Sequence, residues 1–158
     1  MAVSMKVIGL REIEKALAEL PSGTAKGVAR RAMKKELQPI ALMANGFWPG
    51  SGDDVFRITS RLSPRQRPAI REARSVTNMF VGADYGPAGA PHAHLLEFGT
   101  GPRFQRNGRF TGSVAPMPML QPAWDMHKAK LLEGLGARLW DEIRKTVERR
   151  ARRAARSG

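Results

Sequence analysis

Few residues in this chain have the types and spacing that do chemistry. His92, His94 and Glu97 lie close together, and His127 stands apart. Their spacing is not the His-Glu-x-x-His arrangement that sets two imidazoles on one helical face, so no metal site is expected. Glu97 is expected instead at a loop-to-strand junction, bound to backbone or to a neighbouring arginine. Asp53 and Asp54 form an acidic pair in a Gly-rich stretch. A two-metal nuclease needs more clustered carboxylates than this pair supplies. Glycines recur between Gly82 and Gly89, but the lysine that follows a phosphate-binding loop is missing. Gly-x-Ser-x-Gly is absent, and so is cysteine, which removes thiol catalysis, disulfides and Cys-based zinc sites. No enzyme and no cofactor are expected.

The strongest charge signal is C-terminal: Arg144, Lys145, Arg149, Arg150, Arg152, Arg153 and Arg156, interrupted only by Glu148. Such a run neutralises phosphates without reading sequence. Aromatics that would stack bases are not interleaved with it, which disfavours single-strand recognition. It suits contact with passing DNA or with an acidic neighbouring subunit. The plain alternative is a solvated helix end, where cations complement the helix dipole. The net charge of +13 on 158 residues points the same way, to an anionic partner.

The elements that must position these residues follow from periodicity. Val3, Met5 and Val7 alternate with polar residues and predict a strand. Leu10, Ile13, Leu17 and Leu20 repeat at helical spacing up to Pro21. Ser22 or Thr24 is expected to cap a second helix, whose apolar face is Val28, Ala32, Leu37, Ile40 and Ala44. Pro39 inside it predicts a kink. Residues 46–63 read as a loop, and 70–81 as two strands joined at Thr77-Asn78. Phe104 to Phe110 predicts a projecting hairpin whose basic tip is Arg106, Asn107, Gly108 and Arg109, with Asn-Gly suited to a type I′ turn. From about Pro118 a long helix is expected, with Trp124, Leu131, Leu135, Leu139, Ile143 and Val147 as one stripe. Gly134 and Gly136 within it permit close packing or mark a bend. Beyond Val147 the helix has little to bury and is expected to project as a basic end or tail.

Hydrophobic residues make up 42% and charged residues 26%, which suits one folded domain with a real core. The division expected is a domain over 1–147 and a basic end over 148–158. The N-terminal residues show no signal-peptide pattern, and no stretch approaches a membrane span. The expected class is α+β: a small, mostly antiparallel sheet packed by two or three helices, with a long basic C-terminal helix.

Two segments remain, His94-Leu95-Leu96-Glu97-Phe98-Gly99-Thr100 and Pro116-Met117-Pro118-Met119-Leu120-Gln121-Pro122-Ala123-Trp124. Taken alone they read as core. Together they resemble the "EFGT … PFLxPA" signature of the neck and tail-completion proteins of long-tailed, lambdoid-type bacteriophages. Val7-Ile8-Gly9-Leu10, Leu20-Pro21, Phe47-Trp48-Pro49 and Val81-Gly82-Ala83-Asp84-Tyr85 fall in the family's order, so the resemblance spans residues 7 to about 126. Met119 replaces the family's aromatic. Thr59-Ser60-Arg61-Leu62-Ser63 lacks the glycine of its counterpart step, and the Arg-rich end has no counterpart.

The resemblance implies a structural virion protein at the head–tail junction, assembled in the host cytoplasm. It would form a ring, six copies by analogy with tail symmetry, around the DNA channel. Its partners would be head-closure and tail-terminator or tail-tube proteins, with DNA in the channel and no membrane. Leu95, Leu96, Glu97, Phe98, Gly99, Thr100, Pro118, Leu120, Pro122 and Ala123 would then be structural, and the 46–63 loop and the hairpin would supply assembly contacts. The alternative is a cellular nucleic-acid-binding protein that uses the arginine cluster without sequence specificity.

Overall fold

The computed structural model describes residues 10–50, 55–61, 77–84 and 90–157. The N-terminal strand, Asp53 and Asp54, and most of the 70–81 segment lie outside these residues. Among the described residues, four helices and four strands occur in the order α1 (Leu10–Ala18), α2 (Ser22–Gly46), β1 (Phe56–Thr59), β2 (Phe80–Ala83), α3 (Ala93–Phe98), β3 (Thr100–Phe104), β4 (Phe110–Val114) and α4 (Leu120–Ser157). The class is α+β, with β1–β2 and β3–β4 forming two small antiparallel sheets. A strand at 56–59 replaces part of the loop expected over 46–63. Its strand-like pairing begins with a side chain: Asn45 Nδ2 donates to the Phe56 carbonyl (3.0 Å) and its Oδ1 accepts from the Phe56 N–H (2.7 Å).

The chain divides into two compact units. The first comprises residues 1–38, 59–80 and 128–158. Its core joins Ile13 of α1, Val28 and Ala32 of α2, and Leu139 and Ile143 of α4, with Leu17, Leu20 and Leu135 packed on the edge. Of the apolar positions read in α1 and α2, Ile13, Val28, Ala32, Leu37, Ile40 and Ala44 are buried, and Leu17 and Leu20 half-buried. Ser22 is already inside α2, because the Pro21 carbonyl accepts the amides of Thr24 (2.8 Å) and Ala25 (2.9 Å). The helix continues through Pro39, at which the second unit begins.

The predicted stripe on α4 needs correction. Leu139 and Ile143 are buried, but Trp124 is 43% and Val147 50% exposed, and Glu142 and Thr146 take buried places. At 3.6 residues per turn, each four-residue step overshoots a full turn by roughly 40°. A stripe built from successive i+4 steps therefore winds off the core.

The second unit comprises residues 39–58 and 81–127. Among the described residues, Ile40, Ala41, Ala44, Val55, Phe56, Ala90, Ala93, Met119 and Ala123 are its buried apolar residues. Arg57 and Asp84 pair at 2.8 Å, and the Asp84 amide donates to the Val55 carbonyl. β3 and β4 pair antiparallel with irregular register near Gly112 (φ 96°). Their connection is the five residues 105–109, closed by a Gln105–Arg109 hydrogen bond around residues 106–108, and not a type I′ turn at Asn107-Gly108. Gly108 (φ 80°) donates to the Gln105 carbonyl, Gln105 donates to the Arg109 carbonyl, and Asn107 Oδ1 accepts from the Arg109 amide. Only one residue in this pattern needs a left-handed conformation, and glycine fills it.

Candidate structural clamp and basic face

The two segments singled out by sequence form one clamp within the second unit. Residues 93–98 are a short helix, α3, rather than a loop entering a strand. Its last turn directs the Glu97 carboxylate at the start of α4. Oε2 accepts the amides of Met119 (2.7 Å) and Leu120 (3.0 Å), and Oε1 accepts that of Gln121 (2.9 Å). A helix leaves its first four amide positions without intrahelical partners. Here Glu97 takes three, and the fourth position is Pro122, which has no N–H. A carboxylate also suits the positive end of the helix dipole. The cap on α4 thus comes from a residue 22 to 24 positions earlier in the chain.

The neighbours of Glu97 complete the clamp. The Leu96 carbonyl accepts the Met117 amide at 2.7 Å. Thr100 Oγ1 accepts the Val114 amide at 3.0 Å. Gly99 has φ 69°, and a Cβ there would sit 2.8 Å from the Pro116 nitrogen and 2.9 Å from the Val114 carbonyl oxygen. Only glycine satisfies both the left-handed backbone and the close approach. Met119 and Ala123 are fully buried, Leu95, Leu96, Leu120 and Pro122 are half-buried, and Pro118 is exposed. Phe98, by contrast, is 79% exposed, so that part of the block is not core.

The hairpin presents Phe104 and Phe110 with ring centroids 5.4 Å apart, both more than half exposed. Arg103, Arg106 and Arg109 are exposed around them. The histidines are used separately: His92 tilts against Trp48 with centroids 5.8 Å apart, and His127 Nδ1 lies 3.0 Å from the Ala123 carbonyl oxygen. Among the described residues, no group of three or more His, Cys, Asp or Glu side chains is placed to hold a metal.

In the first unit the basic residues divide into two sets. Arg31 and Lys35 of α2 are engaged by Glu142, with Arg31 Nε at 2.8 Å and Lys35 Nζ at 2.6 Å, and Arg31 also donates to Thr146 Oγ1. Lys35 first, then Arg31, holds the Glu142 carboxyl below its ordinary pKa. Arg138 pairs with Glu36, whose carboxylate occupies the space above Gly134. Arg144 and Lys145 pair with Asp141, which Lys145 holds below its ordinary pKa.

Arg149 donates to the Lys145 carbonyl (3.0 Å). The guanidinium groups of Arg150, Arg152, Arg153 and Arg156 make no hydrogen bond or ion pair among the described residues. α4 stays helical to Ser157, and Arg149, Arg150 and Arg153 line a cleft of this unit instead of simply projecting from it.

Sequence reading missed Glu142 and Glu36. The signal for Glu142 was available, since it shares the Leu139, Ile143 and Thr146 face at helical spacing.

No family model, curated protein or solved structure matches this chain. No described helix is long and apolar enough to cross a membrane.

Proposed function

We propose that the chain is a structural component of a phage head–tail junction, a neck or tail-completion protein. It would assemble as a ring that finishes the tail end and joins tail to head around the DNA channel. The observation that carries this reading is the clamp. The two segments that resemble the neck signature also engage each other residue by residue, Leu96 with Met117, Glu97 with residues 119–121, and Gly99 and Thr100 with residues 114–116. Motifs that recur together for a structural reason are expected to interlock in this way. The clamp holds the ends of a hairpin whose exposed aromatic pair suits a neighbouring subunit better than solvent. Rings arise from heterologous contacts that close by rotation, and six copies is the number proposed by analogy.

The test is oligomeric mass by light scattering over a range of protein concentration, at two salt levels, with and without nuclease. A closed ring that survives nuclease and high salt is the expected result, formed alone or on addition of a head-closure or tail-tube protein. A chain that grows only with nucleic acid, and dissociates when that is digested, would sink the reading. The unpaired arginines of α4 favour that second reading, a nucleic-acid-binding protein without sequence preference.

A further inference from the structure

We infer that the first unit carries a built site for the phosphodiester backbone of duplex nucleic acid, in a cleft between the start of α2 and the C-terminal half of α4. The cleft measures about 380 Å³. Gly23, Thr24 and Gly27 form one wall, and Arg149, Arg150 and Arg153 the other, with Arg31 also lining it. Among the described residues, no carboxylate lines it. Glu142 of α4 is already shared by Arg31 and Lys35. That arrangement positions Arg31 and leaves the guanidinium groups of Arg150 and Arg153 without a partner among the described residues.

Like charges one helical turn apart, such as Arg149 and Arg153, destabilise a helix. Collecting four arginines around one concavity adds to that cost, and a bound anion offsets it. Guanidinium forks match phosphate oxygens in pairs. The two glycines leave the α2 wall low, so a bulky tetrahedral group can enter.

The chemistry of the wall selects among anions. An acidic peptide would bring side chains that need pockets, and among the described residues no apolar side chain larger than the threonine methyl groups lines this cleft. A phosphate backbone needs none. Arg152 and Arg156, exposed on the same helix outside the cleft lining, add further positive charge, which suits a repeating anion rather than a single one. Among the described residues no aromatic side chain lines the site for base stacking, which favours duplex over single strand. This inference is independent of the neck reading. A chain that never forms a ring could still bind here, and a ring could form with the cleft unused.

The experiment is fluorescence anisotropy with the full chain and a labelled duplex of about 20 bp over a salt series. Thr24→Glu places a tethered carboxylate in the cleft, at a helix start where an acid is favourable. Lys130→Gln makes the same one-unit charge change at an exposed position outside the cleft lining. The expected result is a loss of about tenfold or more for Thr24→Glu and less than about twofold for Lys130→Gln. Arg150→Gln with Arg153→Gln should weaken binding comparably and reduce the salt slope by about 2.

Circular dichroism checks that each variant is folded, and the exposed double variant reads the site even if Thr24→Glu is not. Equal losses for Thr24→Glu and Lys130→Gln, or wild-type binding by the double variant, would overturn the inference. So would poly-glutamate competing as well as unlabelled duplex at equal charge, since the cleft would then read carboxylates.

Discussion

At the scale of single residues, Glu97 does what usually takes several. One carboxylate serves the three amides that begin α4, and a proline removes the need for a fourth acceptor. Truncating it would leave those donors unmet at a partly buried helix end. Glu97→Ala is expected to cost about 2–3 kcal/mol, and Glu97→Gln about half that, since an amide oxygen still accepts but lacks the charge. Urea denaturation of the two variants reads this directly; equal, negligible losses would show that water replaces the cap. Gly99→Ala should be at least as damaging, because the new methyl meets the Pro116 backbone in a left-handed conformation.

At the scale of elements, the packing of α2 on α4 within the first unit rests on charge as well as on the Ile13–Val28–Ile143 core. Glu36 is received over Gly134, where a Cβ would lie 2.8 Å from its Oε2. A helical Gly→Ala change ordinarily gains up to about 1 kcal/mol. Gly134→Ala is expected to fall short of that gain here, because Glu36 must move and its pairing with Arg138 with it. In a Glu36→Ala background the same change should regain the ordinary gain. A double-mutant cycle by thermal denaturation separates the two, and additive effects would refute the contact.

Glu142 supplies a second charged contact between the same two helices, and its acid dependence has a definite sign. Its folded pKa lies below the ordinary 4.5, so the folded state holds fewer protons than the unfolded chain in that range. Its contribution is therefore fully present above about pH 4.5 and is lost as pH falls through the lower folded value. Glu142→Gln should lower neutral-pH stability by about 3 kcal/mol or less, as the stranded cations are half exposed. It should also make the acid limb of the stability curve shallower. An unchanged acid limb would mean that other carboxylates control it.

At the scale of the whole molecule, the proposal concerns assembly. Phe104 and Phe110 stand out from the second unit and contribute little exposed-to-buried area to the isolated fold. Replacing both by serine should leave the melting temperature within about 2 °C, since exposed substitutions away from special features are usually near neutral. It should nevertheless abolish the high-mass species in light scattering. Loss of stability with mass unchanged would assign the hairpin to the fold instead.

How far these features were legible depended on whether they were local. The faces of α1 and α2, the hairpin at Asn107-Gly108, and the length of α4 follow from spacing, turn chemistry and the lack of any proline in α4 beyond its first turn, all of which act over a few residues. The α+β class follows from the same signals. Position in the fold was not legible where partners are remote. Glu97 could be read only as binding backbone or arginine, because the three amides it caps lie beyond an entire hairpin. The strand at 56–59 begins on an asparagine side chain rather than on an alternating pattern. Glu142 looked like one acid among many until α2 brought Arg31 and Lys35 to it. The arginine run announced its charge in the sequence, but the cleft exists only because the glycine-lined start of α2 lies opposite Arg149, Arg150 and Arg153. Local chemistry sets what each segment prefers. Which charges meet, and which are left facing an open cleft, is decided when segments more than a hundred residues apart pack together.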